Sequence, residues 1–279
     1  MATRYWTDGG GDGVWATATN WDGGATAPTT NDTAIIGTSN RAIVGATVAT
    51  DGLVIIVTDG FGGTIGADAP LIFSGNSTGT TLTYGGRGSY ANFGLTKGLS
   101  ATANISGGQQ FVLSSGTITT LTTSGGVVTS AAGTVVTTLQ NVAAVVTAGY
   151  NGTAFTTATN GGTLITSRVC TTLNCKRGTA VQLNNGVTNF TNCGTVNIEN
   201  GATYNKQSGG TDTTVTAFPG GRLTIAGNAG NSAATVTVTT LNEWAGSSIQ
   251  DVSNGIVLTV TTRTKVGAVT GTTGGGPPP

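Results

Sequence analysis

Thr119-Thr120-Leu121 recurs as Thr137-Thr138-Leu139, 18 residues further along the chain. Thr156-Thr157-Ala158, Thr171-Thr172-Leu173 and Thr188-Asn189-Phe190 follow at steps of 19, 15 and 17, and Asn174-Cys175 returns as Asn192-Cys193 after 18. A near-constant step of this size marks a repeat architecture, in which a unit buries its apolar residues by stacking on the next unit. It fits one coil of a β-solenoid, with Thr laddered outside and alternate apolar residues inside. At about 4.8 Å per coil, nine or so coils over residues 100–265 would build a rod roughly 40 Å long. The step drifts, so a β-sandwich or β-prism of meandering strands is the alternative.

Local composition agrees with strands. Runs such as Leu53–Thr58, Thr80–Tyr84, Thr134–Leu139, Thr163–Thr166, Thr195–Ile198 and Thr235–Leu241 are rich in β-branched residues. Gly, Asn or Ser bounds them, and helical periodicity is missing. The predicted fold class is all-β, a β-solenoid or β-helix-like stack of short strands. The 47 glycines raise the question of disorder, but 37% hydrophobic residues and zero net charge are the opposite of a disordered composition.

Three segments are expected. Residues 1–40 hold three of the four tryptophans, Trp6, Trp15 and Trp21, and four of the nine aspartates, Asp8, Asp12, Asp22 and Asp32. They read as a Trp-rich cap or attachment region closing the first open coil, because an uncovered coil is an unpaired sheet edge. Residues 41–265 form the solenoid-like body, and residues 266–279 a Gly/Pro-rich tail ending in Pro277, Pro278 and Pro279. That tail is a hinge followed by a short polyproline stretch, expected to reach a neighbouring copy.

Charge and composition narrow the function. With 8% charged residues and no net charge, nothing invites nucleic acid or an anionic membrane surface. No apolar run reaches the length of a membrane helix, and the first residues lack a secretory signal, so synthesis in a cytoplasm is expected. Cys170, Cys175 and Cys193 do not make a disulfide framework. Cys175 and Cys193, one coil apart, read as small hydrophobes stacked in a ladder. Asn174 and Asn192, with Asn184 and Asn185, read as ladders that satisfy turn backbone groups.

The chain has no histidine, which removes the commonest general base and zinc ligand. Glu199, Asp212, Glu243 and Asp251 are spaced by 13, 31 and 8, which does not repeat the coil and stacks no carboxylate pair on one face. The expectation is no enzyme, no cofactor and no metal. Asp8-Gly9-Gly10-Gly11-Asp12-Gly13 lacks the EF-hand glutamate and the lysine of a phosphate loop, and reads as a turn with Asx hydrogen bonds. Asp22 and Asp32 would complete a divalent site if that loop formed one. Tyr5, Trp6, Trp15 and Trp21 form either a small core for the cap or a sugar-stacking platform.

The opening Arg4-Tyr5-Trp6, the Gly-rich turn through Gly13, Trp15, Asn20-Trp21, Pro28 and Asp32 before Ile35-Ile36 resembles the start of tailed-bacteriophage virion structural proteins. The likeness covers about 36 of 279 residues. It implies a location on the phage particle surface and a structural role for the tryptophans, and carries no other residue role. The leading expectation is a capsid decoration or cement protein, a homotrimer bridging capsomers of the major capsid protein. A tail-fibre or spike protein recognising host surface glycan is the alternative. A polysaccharide depolymerase on the same scaffold is the third reading.

Overall fold

The computed structural model of the chain describes residues 1–22, 24, 26–74, 80–95, 102–131, 134–148, 155–166, 168–182, 191–207, 210–225, 236–251 and 258–267. The described chain is a parallel β-solenoid with two sheets, and its only helical segment is a single 3-10 turn, Ala18–Asn20. The first sheet opens with Thr3–Tyr5, Thr33–Ile36, Val54–Val57, Thr81–Tyr84 and Thr102–Ile105. It continues through the second half of Gln110–Thr123, then Val135–Asn141, Phe155–Asn160, Cys170–Cys175, Thr191–Ile198, Gly210–Ala217, Val236–Trp244 and Leu258–Val266.

The second sheet stacks Ala46–Val48, Leu71–Phe73, Tyr90–Leu95, the first half of Gln110–Thr123, Val127–Ser130, Val145–Ala148 and Thr163–Thr166. Gly178–Gln182, Ala202–Lys206, Arg222–Ile225 and Ser248–Asp251 complete it. All these pairings are parallel, as a coil that returns in the same direction each turn requires. Nine rungs of the first sheet lie from Thr102 onward, where the Thr-Thr-Leu spacing placed them. Four earlier rungs extend the same sheet back to Thr3, so residues 1–40 supply its first two strands.

The threonine register carries through. Thr81, Thr102, Thr120, Thr138, Thr157, Thr172, Thr195, Thr214, Thr240 and Thr262 occupy one row, each pairing with the next. Beside them, one residue on, Leu82, Ala103, Leu121, Leu139, Ala158, Leu173, Val196, Val215 and Leu241 form an inward row, all buried. Thr188-Asn189-Phe190 lies outside the described residues, and Thr195 holds that place in the ladder. Arg263 follows Leu241 in the inward row and pairs with Glu243, so the last described rung presents charge where a further coil would need an apolar residue.

A corner turns inside Gln110–Thr123. Its first half pairs in the second sheet and its second half in the first, with Gly116 at φ +114 between them. A Cβ there would stand 1.6 Å from the Leu95 carbonyl oxygen, so only glycine fits.

Two ladders differ from their sequence reading. Cys193 pairs with Cys170, not Cys175, and Cys175 pairs with Ile198. The shift arises because this coil spans 23 residues from Cys170 to Cys193, longer than the 18-residue step read from the Asn-Cys repeat. Asn174 meets Asn197 in the next rung, its Oδ1 accepting from Asn197 Nδ2 at 2.9 Å. The Asn192 side chain and residues 184 and 185 lie outside the described set.

Within the coils, Asn141 and Asn160 satisfy turn backbone. Asn141 Nδ2 donates to Ala144 O, Asn160 Oδ1 and Thr163 O, and its Oδ1 accepts from Ala144 N and Thr123 Oγ1. Asn160 Nδ2 repeats the pattern one coil on, donating to Gly162 O and Thr179 O. Each tight turn thereby gains side-chain partners beside the backbone bonds that Ala144 O and Gly162 O accept from Thr163 N and Thr179 N of the next rung.

Candidate functional site

The N-terminal loop is built on its own hydrogen bonds. Asp12 accepts from Thr17 Oγ1 at 2.7 Å, from Val14 N at 2.9 Å and from Asn20 Nδ2, and these donors, Thr17 first, hold its carboxyl below the usual range. Asp22 accepts from Tyr5 N, and Asp32 from Ala2 N, Thr29 N and Thr29 Oγ1. Asp12, Asp22 and Asp32 are thus each committed to separate turns, and among the described residues no three His, Cys, Asp or Glu converge on a metal position.

Trp6, Trp15 and Trp21 are 4%, 1% and 1% exposed. Trp21 receives the edges of the other two, with centroids 5.1 Å from Trp6 and 4.7 Å from Trp15, and its Nε1 donates to Trp15 O. Trp15 then abuts Phe73, which begins an inward stack through Phe93 and Phe111. The three indoles are therefore the first layer of the solenoid core, offering no flat ring for stacking a sugar. Among the described residues two exposed aromatics remain: Tyr5, 51% exposed, at one end of the stack, and Trp244, 38%, near the other.

Tyr5 borders an open cleft of about 860 Å³ lined also by Trp6, Asp8, Ile35 and Arg41. Asp8 sits there with φ +55, a backbone state that a non-glycine residue adopts at a cost. Its side chain is 5% exposed and accepts no hydrogen bond, although Arg41 Nε lies 3.3 Å from Oδ2 as an ion pair. Trp6 Nε1 likewise finds no acceptor. The exposed elements of this cleft are the Tyr5 ring and the Arg41 guanidinium, while the Asp8 carboxylate and Trp6 Nε1 are withdrawn from solvent behind them.

Three of the four acidic residues weighed for catalysis are engaged by cations rather than by one another, and the Asp251 side chain lies outside the described set. Glu199 pairs with Lys176, Glu243 with Arg263, and Asp212 with Lys206. The last pair is a site the sequence reading missed. Lys206 and Asp212 are both 0% exposed, and Tyr204, Cys170, Cys175 and Cys193 around them are equally buried. Alternation would have found it: Lys206 falls on the inward phase of Ala202–Lys206, with Ala202 and Tyr204, and Asp212 on the inward phase of Gly210–Ala217.

Pro277, Pro278 and Pro279 lie outside the described residues. No described helix is long and apolar enough to cross a membrane. No protein-family model, no curated protein and no solved structure matches the chain.

Proposed function

We propose that the chain is a structural protein of a tailed-phage particle, a decoration or cement protein that lies on the head and bridges neighbouring capsomers of the major capsid protein. The observation that carries this reading is the uncharged, threonine-clad face of ten consecutive rungs from Thr81 to Thr262. Interface centres are depleted of charge, and a row of short hydroxyl side chains docks without stranding a desolvated ion. Many rungs in one rigid stack distribute the contact along a line, and binding only the assembled shell stabilises it by mass action. The likeness of the first 36 residues to virion proteins points the same way, and a homotrimer at three-fold positions suits such bridging.

The test is a copy count in purified particles by quantitative mass spectrometry against the major capsid protein. A fixed, near-stoichiometric ratio is expected. A few copies per particle, or absence from particles, would overturn the head assignment.

One observation favours the fibre or spike reading instead: the cleft lined by Tyr5, Trp6, Asp8 and Arg41, where the Tyr5 ring stands half-exposed near the Arg41 guanidinium. Under that reading host glycan binds there, and Tyr5→Ala abolishes retention on host polysaccharide while leaving the solenoid folded.

A further inference from the structure

Lys206 and Asp212 form a fully buried cluster whose chemistry does not depend on the virion reading. Lys206 Nζ lies 3.0 Å from Asp212 Oδ1, with both side chains fully removed from solvent. The two oxygens of Asp212 are held differently. Oδ1 also accepts from the backbone N–H of Cys193 at 3.1 Å, and Oδ2 lies 3.1 Å from the Tyr204 hydroxyl, which donates to it. Asp212 interrupts an otherwise apolar row, between Cys193 and Val238. Lys206 sits between Gln182 and Ile225.

A buried ion pair is a poor source of stability, since the attraction between the two charges seldom returns more than their desolvation costs. The same atoms have another outcome. We infer that Lys206 and Asp212 condense into an intramolecular amide cross-link between consecutive strands of the solenoid.

The atoms balance without an oxidant or a co-reactant. One proton passes from the Nζ ammonium to the carboxylate, giving a neutral amine and a carboxylic acid with its proton on Oδ2. The Nζ lone pair attacks Cγ, and the negative charge that grows on Oδ1 faces the Cys193 N–H, an oxyanion donor already in place. A second proton leaves Nζ and reaches Oδ2 through the Tyr204 hydroxyl. The Cγ–Oδ2 bond breaks, Oδ2 departs as water, and Oδ1 becomes the amide oxygen.

Tyr204 suits the relay. Burial, and then the neighbouring Asp212 charge, push its phenol well above the usual range, so it remains a proton-bearing donor. Confinement supplies the drive. Reacting groups held in one geometry act at effective molarities on the order of 10⁵–10⁸ M, and the product carries no charge to desolvate. Tyr204 and Cys193 touch the reacting atoms and are catalytic in this step; the buried thiols of Cys170 and Cys175 help exclude water.

The experiment is the intact mass of the purified full chain under denaturing conditions, followed by trypsin and fragment sequencing. The expected mass is below the sequence mass by one water. An amidated lysine resists trypsin, so residues 178–222 appear as one peptide with no backbone fragments between 206 and 212. Lys206→Met restores the full mass, a readout that does not require the variant to fold. The full sequence mass in the unaltered chain, or a lighter chain that trypsin still cuts after Lys206, overturns the cross-link. The second result would assign the lost water to another site.

Discussion

Asn141→Ala tests the turn ladder with a magnitude that the contacts define. Asn141 is 2% exposed and serves two backbone groups of Ala144, the Thr163 carbonyl, Asn160 Oδ1 and the Thr123 hydroxyl. Removing it leaves Ala144 N–H and the Thr123 hydroxyl without their acceptor and Asn160 Oδ1 without its donor, all in a region closed to water. A stranded buried polar group costs about 1–3 kcal/mol. Members of one network do not add fully, so the loss should be about 3–5 kcal/mol, a large share of an ordinary domain's stability. Asn197→Ala is the control, because its one side-chain bond, to Asn174, joins half-buried groups on the outer face. It should cost about 1 kcal/mol or less. Urea unfolding followed by circular dichroism reads both. Equal shifts for the two variants, or a shift below about 1 kcal/mol for Asn141→Ala, would refute the claim that inward asparagines hold the turns.

Three further outcomes follow from single positions. Gly116→Ala should fail to form the corner, because its Cβ meets the Leu95 carbonyl, whereas Gly201→Ala, at φ +75 with open space around it, should cost only about 1–2 kcal/mol of backbone strain; similar melting temperatures for the two would contradict this. Cys170, Cys175 and Cys193 are fully buried, and burial pushes the Cys175 thiol far up, so a thiol-reactive dye should label none of them in the native protein and all three in guanidinium. Asp32 is held below the usual carboxylate range, first by the Ala2 N–H and then by Thr29. A depressed folded pKa contributes stability that is full above the unfolded value near ~3.9 and is lost as pH falls through the folded one. The melting gap between the unaltered chain and Asp32→Asn should therefore be widest at neutral pH and close below about pH 4; a gap independent of pH would exclude this account.

Much of the architecture was legible because the solenoid converts sequence spacing directly into contact. Thr120, Thr138, Thr157 and Thr172 stack where their spacing puts them, since like residues on neighbouring rungs share one register. The same logic misplaced Cys193, because spacing read from a two-residue motif cannot see a loop of changed length inserted between strands. The early rungs were not legible as repeats. Their steps, such as Thr33 to Val54 and Val54 to Thr81, differ by several residues, and register there is set by inward packing. The tryptophans read as a cap core or a sugar platform, and strand alternation could not decide between the two. Trp6, Trp15 and Trp21 follow no strand alternation, and their burial depends on a loop folding back so that Trp6 bridges Trp21. The Lys206–Asp212 pair was readable in principle from alternation, but a lysine and an aspartate six residues apart suggest a surface pair until both strands are phased against the core.

The most direct test of the structural role is reconstitution. Purified protein would be added to assembled phage heads that lack it and to dispersed capsomers, and each mixture sedimented. The account predicts saturable binding to the assembled heads, none to dispersed capsomers, and loss of binding when Thr138, Thr157 and Thr172 are replaced by lysine in a protein that keeps its β-rich spectrum. Protein that stays in the supernatant with intact heads, yet is retained on host glycan through Tyr5, would contradict the head role and transfer the function to the N-terminal cleft.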